Sequence, residues 1–98
     1  GAIGVAKEKG VKWFGTQSDQ SSLAPETVVA TQVFDWTPVI KDMIALHNAG
    51  TYGGKAYELT MENGSIKIVF NQEVPADVKA AADAAIEGIK SGAIKPLP

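Results

Sequence analysis

The chain has 98 residues, enough for one domain, and its 45% hydrophobic and 20% charged residues are the balance of an ordinary globular protein. A formal net charge of −2 with no Lys/Arg cluster argues against a nucleic-acid partner, because neutralising phosphates needs a basic stripe. With no cysteine there is no disulfide, thiol nucleophile or thiolate metal site, and no apolar run approaches the roughly 20 residues of a transmembrane helix.

Ala2 to Lys9 reads as the last turns of a helix. Ile3 and Ala6 share a face, Lys7 and Lys9 suit its negative end, and Gly10 is a natural residue just past the C-cap. Val11 to Phe14 reads as a short strand that stops at Gly15, with Trp13 in the core. Helix, glycine, strand and polar loop in that order argue for a mainly parallel sheet. Gln17 to Ser22 holds no apolar residue, Leu23-Ala24-Pro25 turns the chain, and Thr27 to Phe34 is the next strand. Thr37-Pro38 predicts a helix start with the Thr37 hydroxyl as cap and proline where its missing N–H is harmless. Ile40, Met43, Ile44 and His47 then form a helical stripe, with Ile44 expected as a buried anchor.

Tyr52-Gly53-Gly54 is a loop. Ala56 to Met61 alternates as a strand with Tyr57 inward, and Asn63-Gly64 supplies a two-residue hairpin turn into the strand Ile66 to Phe70. After a loop over Asn71 to Val74, Pro75 opens a last helix whose apolar face is Val78, Ala82, Ala85, Ile86 and Ile89. Ile86 is its expected anchor and Glu87 lies off the stripe. Ser91-Gly92 ends the helix, and Ile94 to Pro98 trails off. The expected architecture is α/β and three-layered, a mainly parallel sheet with a C-terminal β-hairpin.

In an open α/β sheet, ligands bind just beyond the carboxyl ends of the strands, and two clusters lie at such ends. Gln17, Ser18 and Asp19, with Gln20 beside them, offer neutral-to-acidic donors and acceptors suited to a purine edge or a pair of sugar hydroxyls. The competing reading is a turn in which Asp19 bonds its own backbone. Phe34, Asp35 and Trp36 place two aromatics at a strand–helix junction, where purines stack for about 1–3 kcal/mol per base. The competing reading is core packing for Phe34 and a staple of Trp36 onto the helix. His47, the only histidine, has no second histidine or carboxylate pair at usable spacing, so it reads as structural. Gly53-Gly54 lacks the Lys, Ser/Thr and helix start of a phosphate loop. No metal or cofactor is expected.

The order G-x-x-S-D-Q, then A-P, then an apolar run ending T-x-x-x-D-W resembles the basic membrane protein family of solute-binding lipoproteins. Members are the purine nucleoside- and nucleobase-binding partners of ABC importers. The likeness continues through the A-G-T-Y-G-G turn, Asn63-Gly64 and the final I-x-S-G-x-I-K, so it covers nearly the whole chain. It implies that residues 1–98 form one α/β unit, the C-terminal portion of a two-lobe protein with a type I periplasmic-binding-protein-like fold. It also implies a purine-type small-molecule ligand held between the lobes, no enzymatic activity, and an ABC permease as partner. The place implied is periplasmic or cell-surface, on a lipid anchor outside this chain. The opening Gly1-Ala2-Ile3, without Met, fits a processed or excised piece, and such a piece is expected to form homo-oligomers through exposed strand edges.

Family members usually have G-V-D-x-D-Q at the first cluster, and the first Asp contacts the ligand; Gln17 stands there in this chain. They often have Lys where Phe34 stands. Two other classes fit the residues: a stand-alone α/β interaction or regulatory domain, and a small hydrolase using Asp19 and His47.

Overall fold

The computed structural model describes residues 1–71 and 74–97; the loop expected over Asn71 to Val74 lies partly outside the described residues. The elements in order are α1 (Ala2–Glu8), β1 (Trp13–Gln17), a single 3-10 turn (Ser21–Leu23), β2 (Val28–Phe34), α2 (Thr37–Asn48), β3 (Ile66–Phe70) and α3 (Ala76–Lys90). α1 ends as expected, with Gly10 at φ +66°.

β2 is the centre of a three-stranded sheet in the order β1-β2-β3. Its run Val28-Val29-Ala30-Thr31, β-branched except for Ala30, suits a pleated surface, and Val28, Ala30 and Thr31 are buried. β1 pairs with it in parallel, from Trp13↔Val28 through Gly15↔Thr31 to Gln17↔Val33, with an irregularity after Trp13. β3 pairs with it antiparallel, from Phe34↔Ile66 to Ala30↔Phe70. At the far end Asn71 seals the sheet, its Nδ2 donating to the carbonyls of Pro25 (2.8 Å) and Val28 (2.9 Å).

The sheet is therefore mixed, not mainly parallel. A helix crossover alone would return the chain for a parallel strand. Here the stretch 51–65 runs back after α2, so β3 starts beside the end of β2. The hairpin is also corrected. Asn63-Gly64 does turn, with Gly64 at φ +78°, but Ala56 to Met61 is not a strand. The Asn63 side chain takes that segment's backbone bonds instead, donating to the Glu58 carbonyl (2.7 Å) and accepting from the Thr60 N–H (3.2 Å). Such local bonds compete with a ladder. β1 also runs longer than expected, so Gln17 is the last strand residue and not part of a loop.

The helices lie loosely on this sheet instead of closing it into layers. The buried apolar residue of α2 is Val39; Ile44 is 56% exposed, as is most of its stripe. The helical phase expected there is rotated by about one residue, with Val39 buried and Ile40, Met43 and Ile44 left exposed among the described residues. In α3, Ile86 is half-buried and Glu87 exposed, the expected order. Trp13 and Tyr57 are half-buried, short of full core positions. The Cα radius of gyration is 17.0 Å, against about 13 Å for a compact domain of this size. The helices present apolar residues, Ile40, Met43, Ile44 and Val78 among them, that the described residues leave exposed.

Candidate functional site

Because β1 and β2 are parallel and in register, their carboxyl ends emerge side by side. Gln17, the end of β1, pairs with Val33, one residue before Phe34 ends β2. Both predicted clusters are thus brought to one edge of the sheet.

The first cluster is a sharp corner. The Ser18 N–H bonds back to the Thr16 carbonyl at 3.1 Å, and Gln17, at φ +76°, is the only non-glycine residue with positive φ among those described. A three-residue turn with positive φ at its centre is rare and strained, and strain of about 1–3 kcal/mol at a side-chain-bearing residue concentrates at ligand sites. The Gln17 amide makes no hydrogen bond among the described residues and is exposed. Asp19 is committed elsewhere: its Oδ1 accepts the Ser21 N–H at 3.0 Å and also the Ser21 hydroxyl. Those two bonds, the hydroxyl's first, hold its carboxyl below the usual carboxylate range. Gln20 folds the loop onto the sheet, accepting the Trp13 Nε1–H at 3.1 Å while its Nε2 reaches the Thr16 carbonyl at 3.4 Å. Ser18 is exposed at the corner.

The second cluster is an aromatic pair around an acid. Phe34 and Trp36 meet edge-on, ring centroids 6.5 Å apart at 67°, and Trp36 is 55% exposed. Asp35 lies between them in sequence. Its Oδ1 accepts the Thr37 N–H at 3.0 Å, an Asx turn that leads into α2; the helix N-cap is Trp36, without a side-chain cap bond, and not the Thr37 hydroxyl expected from the sequence. Its Oδ2 accepts from Lys67 Nζ at 2.8 Å. The ammonium first, then the Thr37 donors, hold the Asp35 carboxyl far below its ordinary range. Lys67 was not anticipated. It lies thirty-two positions away on β3, and only the Val33↔Lys67 pairing places it there.

The arrangement can do limited chemistry. Asp35 is paired with the Lys67 ammonium and Asp19 has one oxygen bonded by Ser21, leaving beside them the Gln17 amide and two aromatic faces. Among the described residues no group of three His, Cys, Asp or Glu could hold a metal ion. His47 is exposed and stacks edge-on with Tyr52 at 5.0 Å, remote in sequence from Asp19. The site is an open wall; a separate cavity of 410 Å³ opens further along α2, lined by Pro38, Val39, Asp42, Lys55 and Tyr57 among others. No helix of the described residues is long and apolar enough to cross a membrane.

The sequence is 34% identical over 96 residues to a purine-binding protein of Brucella abortus (strain 2308), which covers 98% of this chain and 27% of the relative's length. Residues 1–95 match the Bmp family, described as ABC transporter substrate-binding protein PnrA-like. With nearly every residue inside that match, the chain belongs to the Bmp family of ABC-transporter substrate-binding proteins.

Proposed function

We propose that this chain, as the C-terminal portion of a two-lobe solute-binding protein, forms one wall of a cleft that captures a purine for an ABC importer. The observation that carries this reading is that Gln17, its backbone at positive φ, ends one strand while the edge-on Phe34–Trp36 pair follows the end of its parallel neighbour, which puts both at one end of the sheet. An amide can pair with a base edge and an aromatic ring can cover the base's π-face. The family and the name of the relative support the same ligand class. The protein works outside the cytoplasm on a lipid anchor, delivering ligand to the permease, and catalyses nothing.

The ligand is a free nucleobase such as adenine, in preference to its nucleoside. A ribose diol is best held by a free carboxylate or an ammonium, and here Asp19 is bonded by Ser21 and Asp35 by Lys67. Calorimetric titration of the full-length protein is expected to give tighter binding of adenine than adenosine. Gln17→Ala and Phe34→Ala should each weaken adenine about tenfold, in keeping with one lost base contact. Tighter adenosine binding, or unchanged adenine affinity in both variants, would refute the assignment.

On its own, this chain pairs with copies of itself. Among the described residues β1 and β3 each keep one open edge, and unpaired edges template association, as do the exposed apolar residues of α2. Sedimentation at tens of micromolar is expected to give a dimer or larger; a clean monomer with cooperative thermal unfolding rules this out.

A further inference from the structure

We propose that Lys67 is a positioning residue for the aromatic half of this site, an inference that rests on the ligand reading above. Phe34 and Trp36 flank Asp35, so the direction of both rings depends on how the chain bends from β2 into α2. Three bonds fix that bend at Asp35. Its N–H donates to the Ser65 carbonyl at 2.8 Å, its Oδ1 accepts the Thr37 N–H at 3.0 Å, and its Oδ2 accepts from Lys67 Nζ at 2.8 Å. Only the second is local to the corner. The first continues the β2–β3 pairing through the backbone, and the third is the one side-chain tie to β3 among the described residues, from Lys67 opposite Val33.

Lys67 does a second thing. With one oxygen on the helix N-terminus and the other on the ammonium, the Asp35 carboxylate cannot swing toward the aromatic pair. An unpaired anion there would draw water onto the exposed ring faces and compete with a flat, electron-rich base. Lys67 pairs with Val33, two residues before Asp35, so the ion pair holds the carboxylate on the Val33 side of β2, away from Phe34, which has the opposite parity. Lys67 does not need to touch the ligand to govern the affinity.

The test compares Lys67→Met and Lys67→Arg in the full-length protein with two readouts. One is adenine affinity by calorimetry. The other, which needs no ligand, is the fluorine NMR resonance of fluorotryptophan at position 36, identified by its loss in Trp36→Phe. The pair is solvent-exposed, with side-chain exposures of 55% for Lys67 and 31% for Asp35, so the melting temperature should move little and the affinity loss is capped at about three- to fivefold. Lys67→Met is expected to weaken adenine within that range and to shift or broaden the Trp36 resonance. Lys67→Arg, which keeps a donor to Oδ2, should restore both. Unchanged affinity in Lys67→Met overturns the proposal even if the resonance moves. Equal losses in Met and Arg also overturn it, because they point to a direct ammonium–ligand contact. If the wild-type protein binds no purine, the ligand reading has failed separately, and an unmoved Trp36 resonance in Lys67→Met then overturns the positioning role, while a shift restored by Arg upholds it.

Discussion

Gly15→Val is expected to prevent stable folding of this unit, and Gly15→Ala to cost roughly 2–4 kcal/mol. Gly15 sits in β1 directly opposite Thr31 of β2. A Cβ at this position would lie 2.6 Å from Gln20 Oε1, 2.8 Å from Thr31 Oγ1 and 3.1 Å from Thr31 Cγ2. The two neighbours differ in how they can respond. Gln20 is flexible and can withdraw, but it then gives up its bond to Trp13 Nε1, worth about 0.5–1.5 kcal/mol, and the polar corner loses its tie to the sheet. Thr31 cannot withdraw easily. It is β-branched, stiff about χ1, 2% exposed, and lies in the central strand. Its Oγ1 already has no hydrogen-bond partner among the described residues, so a push would add overpacking of about 1–3 kcal/mol without relieving any polar deficit. Valine adds two further methyl groups in the same space and would separate β1 from β2. Thermal unfolding followed by circular dichroism checks this. A Gly15→Ala protein within about 0.5 kcal/mol of wild type, the range of an ordinary surface change, would mean that β1 does not lie against Thr31 as described.

That glycine also marks how far the sequence could be read. β2 was legible because β-branched alternation between Pro25 and the Thr37-Pro38 helix start leaves few alternatives, and the observed strand differs by a single residue. The convergence of Gln17 with Phe34 followed from two strands read as parallel neighbours. What stayed hidden depended on long-range register. Lys67 reaches Asp35 only because β3 returns antiparallel, and nothing in the local pattern around Ile66 to Phe70 announces direction. The failed hairpin arm has the same origin in reverse: Asn63 has the side chain of a turn residue, and that side chain bonds the backbone of the arm it was expected to terminate. The Ile44 stripe was a correct reading of amphipathicity applied to the wrong neighbour. Periodicity says that a face is apolar, but not that these residues cover it, and Ile40, Met43 and Ile44 all remain largely exposed.

Gln17→Asp combined with Phe34→Lys is expected to reverse the ligand preference, shifting the adenine-to-adenosine affinity ratio by about 100-fold or more toward the nucleoside, equivalent to about 2.7 kcal/mol. The pair restores the residue types that the family usually carries at these positions, and each half acts by a different route. Aspartate at position 17 has the short polar side chain that tolerates positive φ best after glycine, so the corner at φ +76° is kept. Nothing among the described residues bonds the side chain there, so the new carboxylate stays available to a ribose diol. Hydrogen bonds to a charged group contribute about 1.5–3 kcal/mol each. Lysine at position 34 removes an aromatic face worth about 1–3 kcal/mol of base stacking, which weakens adenine and adenosine alike, and adds an ammonium that only the sugar can use. The carboxylate and ammonium, once built to meet hydroxyls, are left unpaired by adenine, and a site of that kind penalises a ligand lacking them more than it rewards shared apolar contact. One competing outcome is specific to this chain: the new ammonium can pair with Asp35 in place of Lys67, which would blunt the lysine half. The single variants separate the two, since Gln17→Asp alone should then carry most of the gain in adenosine affinity. Titrations of both ligands against wild type, the two singles and the double decide the matter. A ratio that stays within about threefold of wild type in the double variant would show that neither position faces the ligand, and would remove the basis for assigning a free nucleobase to this site.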